Sequence, residues 1–370
     1  MSNLKAYYET AFEANEQGNI YRPFTSFERL SHERRMHLLA QLDLPALEGA
    51  TVVDYGVGAW GIGCIFPRLK EAKVLHGIDI SEGALEKTRL AHARDVSLAG
   101  KDIRLSQSSG YKFAIEDNSV DLFFAGEAIE HVDETDAFLE EVYRVLRPGA
   151  AAVFTTPNAL PFVYRSLGRR WCVGFEHTAL MNYQELKCAL EKYFTLEVSK
   201  GFNQSLHPLL DDSIDEASAL AWTNACENDP ENATGLIVVV RKKDKRAFSR
   251  SEVVVIEGVE CEASGPRADM QLTPGYLGRM IEPGSSLIVP VPQNAKACTL
   301  LFWSHNWSGI AEVSSPQATT RVDLYHSVGG CLRQCMDLGN LSRLMITSSA
   351  TRNPSSSASQ VILMRAVFRV

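Results

Sequence analysis

The sequence predicts an α/β domain with a doubly wound, mostly parallel sheet, followed by a smaller all-β sandwich. Before residue 245, apolar strand-like runs alternate with amphipathic helical patterns, which is typical of a sheet covered by helices on both faces. After residue 253, short β-branched segments are separated by clusters of Gly, Pro, Asn and Ser, which favours a sandwich. Of the 82 charged side chains, 65 lie in residues 1–252, so the composition changes at the same place.

The α/β domain is expected to span residues 46–245, after a helical segment at 1–45. Within that segment, Ser31 is the expected cap of a helix over 32–42. The predicted strands of the domain lie at 51–55, 73–78, 102–105, 120–124 and 151–155. The predicted helices lie near 61–70, 82–98 and 135–146.

The β-sandwich is expected to span residues 253–370, after a charged linker at 241–246. Its predicted strands lie at 253–256, 286–291, 298–303, 343–347 and 361–368. Trp303 and Trp307 flank polar residues near a turn, a composition that suits stacking on a sugar ring. In the alternative interpretation, Trp303 fills the core and Trp307 packs under a loop. In architecture this domain resembles a carbohydrate-binding module.

Composition excludes several classes of protein. No run approaches the roughly 20 apolar residues of a membrane helix, and the first residues lack the apolar centre of a signal peptide, which predicts a cytoplasmic protein. A net charge of −8 argues against a nucleic-acid partner. The eight cysteines form no CxxC pair, so they are expected to be reduced thiols without zinc.

A glycine turn follows the first predicted strand of the α/β domain. Asp54-Tyr55-Gly56-Val57-Gly58 places glycines where a buried strand turns sharply, so that the backbone can approach a ligand closely. Asp79 ends the next strand and is placed to accept hydrogen bonds from two ribose hydroxyls. Together they predict a Rossmann-like nucleoside site at the carboxyl ends of parallel strands; the alternative is a plain strand-to-helix turn.

Further blocks of sequence extend this pattern over residues 48–242. They are Glu116-Asp117-Asn118-Ser119-Val120-Asp121, Glu127-Ala128-Ile129-Glu130-His131, Leu146-Arg147-Pro148-Gly149 and Thr155-Thr156-Pro157-Asn158. With the glycine turn and Asp79, they resemble the class I S-adenosylmethionine-dependent methyltransferases. The resemblance implies a Rossmann-like fold and S-adenosylmethionine as methyl donor. The cofactor-binding residues that it implies are Asp54, Gly56, Gly58, Trp60, Asp79, Ile80, Ser109, Gly110 and Glu127.

Two positions depart from the family pattern. The third glycine of the turn would fall at Trp60, beside Gly61, so the loop must shift to approach the cofactor. The acidic residue that usually meets the adenine amino group would align with Ser109, whose hydroxyl is a weaker partner. Both departures concern single contacts rather than the class of cofactor.

His131 is the candidate general base, because it follows the fourth predicted strand at the cofactor edge. In the alternative, it caps a helix or orients its loop. Glu127, Glu130, His131 and His177 also form a candidate site for Mg²⁺ or Mn²⁺, with His177 as a second catalytic histidine. This set is similar to the metal site of methyltransferases that modify small-RNA 3′ ends, and to the Glu-x-x-Glu-His segment of ubiquinone-pathway O-methyltransferases. The competing interpretation gives Glu127 to the cofactor and leaves His131 to act alone.

An insertion at 159–171 is expected to lie over the acceptor pocket. Arg165, Arg169 and Arg170 are candidates to receive a carboxylate or phosphate, while Tyr164 and Trp171 are candidates to stack on a ring. An amphipathic surface helix would have the same composition.

These features predict an S-adenosylmethionine-dependent O-methyltransferase that acts on a sugar hydroxyl. The expected acceptor is a bacterial surface polysaccharide such as a lipopolysaccharide O-antigen, including the capping of a chain end. One alternative acceptor is a small aromatic or quinone-like metabolite. The other alternative is a binding protein with this fold and no activity. The oligomeric state is left open.

Overall fold

The computed structural model describes residues 26–166, 170, 174, 176–204, 227–243, 251–273, 276–315, 318–327 and 329–370. The described residues divide into two units. The first unit contains the described residues up to 170 and those of 180–243. The second unit contains residues 251–370 together with the described part of the segment Val173–Ala179.

The first unit alternates strands with helices. Its helices are α1 (Ser26–Ala40), α2 (Glu82–His92), α3 (Thr135–Val145), α4 (Phe162–Ser166) and α5 (Tyr183–Glu191). Its strands are β1 (Thr51–Tyr55), β2 (Val74–Asp79), β3 (Asp102–Gln107), β4 (Val120–Gly126), β5 (Leu146–Pro157), β6 (Phe194–Gln204) and β7 (Ala233–Lys242). Short 3₁₀ turns cover Pro67–Glu71, Val96–Leu98 and Ile129–His131.

These strands form one seven-stranded sheet in the order β3-β2-β1-β4-β5-β7-β6. The first five are parallel, and β7 runs antiparallel to both of its neighbours. Two apolar clusters of buried side chains pack on the sheet, one around Phe123 and Phe154, the other around Leu122 and Val153. Since neighbours along a strand point to opposite faces, both faces of the sheet are covered. The predicted Rossmann-like α/β fold is confirmed.

The parallel strands bring their carboxyl ends to one edge of this sheet, which we call the carboxyl edge. It is formed by the ends of β1, β2 and β4, at Tyr55, Asp79 and Gly126. Ligands of open α/β sheets bind outside this edge, so the fold positions the candidate residues that follow these strands.

Two local predictions in the first unit are wrong. No α-helix covers 61–70: Gly61 and Gly63 have φ of +95° and +72°, outside the helical range, and only a 3₁₀ turn begins at Pro67. Ser31 is not a helix cap, because α1 already begins at Ser26 and Ser31 lies inside it. The helix expected at 82–98 ends at His92 as α2, and Val96–Leu98 forms a separate 3₁₀ turn.

The second unit is built from eleven antiparallel strands among its described residues. They are β8 (Val253–Glu257), β9 (Glu262–Ser264), β10 (Arg267–Thr273), β11 (Tyr276–Ile281), β12 (Ser286–Pro290), β13 (Ala297–Ser304), β14 (Ile310–Ser314), β15 (Thr319–Asp323), β16 (Gly330–Asp337), β17 (Arg343–Ser348) and β18 (Val361–Arg369). One sheet has the order β10-β11-β18-β13-β16 with β8 on β18, and the other the order β15-β14-β17-β12-β9.

Side chains of both sheets share one core in the second unit. Phe302 of β13 and Leu363 of β18 belong to the same buried cluster as Leu287 of β12 and Ile346 of β17. The predicted all-β sandwich is therefore confirmed. Among the described residues of both units, no helix combines the length and the apolar composition that crossing a membrane requires.

Candidate active site

The glycine turn lies at the carboxyl edge, directly after β1. Gly56 has φ of +75° and Gly58 φ of +60°, a region that favours glycine. A Cβ atom on Gly56 would lie 2.8 Å from the Cβ of Ala128, so no larger residue fits without movement. The amide of Gly56 donates to the carbonyl of Ile78 at 2.8 Å, which folds the turn toward β2.

Asp79 contacts the same turn from the end of β2. Its Oδ2 accepts a hydrogen bond from the amide of Gly58 at 2.8 Å, and its Oδ1 accepts one from the amide of Ser81 at 2.9 Å. The residue is buried. Gly58 and Asp79, which the sequence predicts to bind the same nucleoside, thus lie within hydrogen-bond distance of each other.

Asp54 is buried beneath the loop that continues the turn. Its Oδ2 accepts a hydrogen bond from the amide of Gly63 at 2.9 Å, and burial raises the pKa of Asp54 to about 7, with a smaller contribution from Asp79. The carboxyl group therefore fixes the far end of the loop. A direct contact between Asp54 and the cofactor stays a prediction.

Trp60 takes the place of the expected third glycine and is 52% exposed. The loop accommodates it because Gly61 and Gly63 supply the left-handed backbone positions further along. The imidazole of His92, at the end of α2, supports this part of the loop, since its Nε2 accepts a hydrogen bond from the amide of Ile62 at 3.1 Å.

The support from His92 predicts a pH dependence of the loop. Burial is the main reason why the pKa of His92 lies below its usual value; Lys70 lowers it further, and Asp95 opposes the shift. Protonation removes the lone pair that Ile62 requires. The stability that neutral His92 contributes is therefore complete above a pH of about 6.5 and is lost as the pH falls.

We expect the melting temperature of the wild-type protein to fall more steeply below a pH of about 6.5 than that of a His92→Gln variant, which keeps an acceptor but does not titrate. Thermal unfolding at several pH values measures this difference. His37→Gln is the matched control, because His37 is exposed on α1. Equal pH profiles for wild-type protein and His92→Gln would contradict the expected role of His92.

The expected adenine side of the site follows β2 and β3. Ile80 is half-buried, and its carbonyl accepts a hydrogen bond from Nε2 of Gln107 at 2.8 Å. Gly110 has φ of +95°, and a Cβ there would lie 2.6 Å from the hydroxyl of Tyr55. Ser109 is exposed. The roles of these residues in binding adenine stay predictions.

Glu127 directly follows β4 in a left-handed conformation, with φ of +51°. Such a backbone costs about 1–3 kcal/mol for a residue other than glycine. Its Oε1 accepts a hydrogen bond from the hydroxyl of Thr155 at 2.7 Å and pairs with Nη1 of Arg35 at 3.1 Å. Sequence reasoning missed Arg35 because α1 carries no recognisable motif.

Glu130 and His131 lie in the 3₁₀ turn after Glu127. Glu130 is buried, and its Oε2 accepts a hydrogen bond from the hydroxyl of Thr156 at 2.9 Å. Burial, followed by the nearby Glu127, raises the pKa of Glu130 well above its usual value. The side chain of His131 is 22% exposed, with Nε2 3.8 Å from Oε1 of Glu130. His131 therefore reaches the solvent side of the carboxyl edge.

The candidate metal ligands thus have different surroundings. Glu127 is engaged by Arg35 and Thr155, whereas Glu130 and His131 face each other. His177 lies in the segment Val173–Ala179, which belongs to the second unit. The metal site and the catalytic role of His177 stay predictions.

Most of the candidate acceptor residues in the insertion have protein partners where the structure describes them. Arg170 donates to the carboxylate of Glu185 and to the carbonyl of Leu180. Nη2 of Arg165 donates to Oδ1 of Asn232 at 2.8 Å. Tyr164 is half-buried on α4, and Arg169 and Trp171 lie outside the described residues.

In the second unit, the candidate sugar-binding tryptophans are both half-buried. The rings of His305 and Trp307 lie 5.3 Å apart between centroids, at 44°. Trp303 lies on β13 outside the set of fully buried core residues. Sugar binding by this loop stays a prediction.

Comparison with known proteins identifies the first unit. A family model described as a methyltransferase domain matches residues 53–154. A dimethylglycine N-methyltransferase of Parasynechococcus marenigrum is 36% identical over 34% of this chain and 44% of its own length. A malonyl-[acyl-carrier protein] O-methyltransferase of Methylovorus is 30% identical over 34% of this chain and 43% of its own length. A demethylmenaquinone methyltransferase of Oceanobacillus iheyensis is 28% identical over 36% of this chain and 57% of its own length.

The chain therefore spans about half the length of the curated relatives that it matches. The matched residues 53–154 contain the glycine turn, Asp79 and the Glu127–His131 turn. The names of these three relatives specify three different acceptors, so what the relatives share is the methyl-transfer domain. Residues 53–154 of the first unit match a methyltransferase domain, as the resemblance to the class I S-adenosylmethionine-dependent methyltransferases predicts.

Proposed function

We propose that this protein transfers the methyl group of S-adenosylmethionine to a sugar hydroxyl of a surface polysaccharide or of its precursor. The observation that carries the proposal is the carboxyl edge, where the glycine turn, Asp79 and His131 follow three neighbouring parallel strands. One side of this edge suits a nucleoside, and the other offers a partly exposed base.

The residues of the edge fit the methyl donor. The glycines at 56 and 58 hold a left-handed backbone that forms a sharp turn after β1, and the carboxylate of Asp79 is held by two backbone amides. S-adenosylmethionine supplies an electrophilic methyl group on a sulfonium. Its transfer is a displacement that requires alignment of donor and acceptor more than covalent help from the protein.

His131 carries the acceptor chemistry in this proposal. A hydroxyl is a poor nucleophile until its proton is removed, and His131 offers a partly exposed imidazole in the 3₁₀ turn that follows β4. The buried carboxyl group of Glu130 lies 3.8 Å from Nε2, so an imidazolium formed at His131 would have a polar neighbour rather than an apolar one. The proton thus passes from the acceptor oxygen to His131.

A divalent ion bound at His131 is the alternative to a free imidazole base in this proposal, because a metal-bound nitrogen cannot also accept the proton. Glu130 and His131 supply oxygen and imidazole donors that suit Mg²⁺ or Mn²⁺, and such an ion would lower the pKa of a hydroxyl that it binds. Glu127 is the weaker ligand of the predicted set, since Arg35 and Thr155 already engage its carboxylate.

The proposed acceptor is a sugar because the methyltransferase domain is followed by an all-β unit with few charges. Such units are suited to hold polymers through aromatic and hydrogen-bonding side chains. An aromatic or quinone-like metabolite is the competing acceptor from the sequence.

A methyl-transfer screen tests this proposal. Full-length protein and tritiated S-adenosylmethionine are incubated with cell-envelope polysaccharides, their saccharide fragments and a set of phenols and quinols. We expect label in the saccharides. Label in phenols alone would contradict a sugar acceptor, and no label together with no donor binding would contradict the methyltransferase function.

The same screen contains arms with a chelator and with added Mg²⁺ or Mn²⁺. If a metal acidifies the acceptor, chelation lowers turnover by at least about 10-fold and the added ion restores it. Unchanged turnover in the chelator would contradict the metal site and leave His131 as the only base.

A further inference from the structure

Helix α1 brings two arginines to the carboxyl edge of the first unit. Arg35 reaches Glu127 at the end of β4, and Arg34 pairs with Glu227, the first described residue before β7. Lys200 of β6 pairs with the same Glu227 at 3.0 Å. Three cationic side chains therefore pair with two carboxylates, Glu127 and Glu227, at this edge. The net charge of these five groups is positive, which favours the binding of an added anion.

The guanidinium of Arg35 is mostly buried, and the described residues accept hydrogen bonds from only some of its N–H groups. Its Nη1 pairs with Glu127, its Nη2 donates to Nδ1 of His32 at 2.8 Å, and its carbon lies 6.0 Å from the centroid of the Phe202 ring. The side chain is 13% exposed, and its buried Nε has no hydrogen-bond partner among the residues that the structure describes. Buried N–H groups in folded proteins nearly always have a partner.

In the pair with Glu127, Nη1 of Arg35 lies 3.1 Å from Oε1, and the same Oε1 also accepts a hydrogen bond from Thr155. A carboxylate or phosphate would accept from two N–H groups at once, which is the stronger geometry. Glu127 is also held in a left-handed conformation that its residue type disfavours. The pair is therefore one that a better-placed anion can replace.

We propose that Arg35 is a specificity-determining residue that binds an anionic group, carboxylate or phosphate, of the methyl acceptor, and that Glu127 takes this place when no acceptor is bound. The position fits an acceptor contact, since Glu127 precedes His131 by four residues at the same edge. This inference rests on the proposed function and narrows its acceptor to an acidic or phosphorylated molecule. It moves this recognition from the insertion to α1.

Calorimetric titration of the full-length protein, without methyl donor, tests the anion site. The probes are D-glucuronate and inorganic phosphate, with D-glucose as the neutral comparison. We expect at least one anion to bind more tightly than glucose, and Arg35→Met to weaken it by at least about 10-fold. The relative affinities of the two probes distinguish a carboxylate from a phosphate.

The second variant is Glu127→Gln, which is expected to change the affinity for the anion in the opposite direction to Arg35→Met. Removal of the competing carboxylate is expected to tighten the anion by about 3-fold or more, whereas a merely structural pair would weaken binding or leave it unchanged. The control is Arg104→Met, because Arg104 is an arginine on β3 whose side chain is 58% exposed. If Arg35→Met does not fold, the sign of the Glu127→Gln effect decides.

Three results would overturn the inference. They are no anion binding by the wild-type protein, equal binding by Arg35→Met and Arg104→Met, or binding by Glu127→Gln that is weaker than or equal to that of the wild-type protein. Binding of S-adenosylmethionine to the same preparations is measured separately. Methyl transfer confined to neutral sugars would contradict this inference but leave the proposed function intact, whereas absence of donor binding would contradict the proposed function itself.

Discussion

Replacement of Asp79 by Ala is expected to weaken the binding of S-adenosylmethionine by at least about 100-fold, equivalent to about 2.7 kcal/mol. Two effects combine. The donor loses the carboxylate expected to hold its ribose, and the amides of Gly58 and Ser81 lose their acceptor. Each hydrogen bond to a charged group contributes about 1.5–3 kcal/mol. Isothermal titration with S-adenosylmethionine measures the change.

The control for this variant is Asp102→Ala. Asp102 begins β3 and pairs with Arg104 at the protein surface, and its side chain is 47% exposed. We expect this variant to bind the donor like the wild-type protein. Binding by Asp79→Ala within about 3-fold of that of Asp102→Ala would show that Asp79 does not hold the ribose.

Replacement of His131 by Ala is expected to lower kcat by about 100-fold or more, because the acceptor hydroxyl loses its base. The affinity for S-adenosylmethionine is expected to stay unchanged, since Asp79 and the glycine turn are untouched. Steady-state kinetics with the acceptor found in the methyl-transfer screen measures the loss of turnover. Free imidazole is expected to restore part of the activity of this variant.

His37→Ala is the matched control for His131→Ala. His37 is exposed on α1, where it contacts Gln41 on the same face. A loss of only a few-fold in His131→Ala, or the absence of any rescue by imidazole, would limit His131 to orienting its turn. In that case another group would have to take the proton.

Sequence predicted the local geometry of the glycine turn and Asp79 better than the contacts of Glu127 and Arg170. The turn at Gly56 and Gly58 and the carboxylate of Asp79 depend on backbone geometry that few residue types permit, so a short motif specifies them. Arg35 lies far from these motifs in sequence, and only the tertiary structure brings it to Glu127. Arg170, by contrast, has the composition of an anion contact but pairs with Glu185.

The same contrast applies to the strands. In the first unit, β1 and β4 are buried on both faces and form apolar runs that the sequence reveals. In the second unit, β15 and β16 are edge strands whose side chains are mostly exposed in β15 and mostly half-buried in β16, so their patterns resemble loops and neither was predicted. The failed helix at 61–70 has a similar cause, because the glycines there serve the loop rather than a helix.

The most direct test of donor binding at the glycine turn and Asp79 is a crystal structure of the full-length protein grown with S-adenosylhomocysteine, the product of the methyl donor. We expect both ribose hydroxyls to lie within hydrogen-bond distance of the Asp79 carboxylate, and the glycine turn to lie beneath the amino-acid part of the ligand. A nucleoside bound elsewhere, with both ribose hydroxyls beyond hydrogen-bond distance of the Asp79 carboxylate, would contradict this expectation.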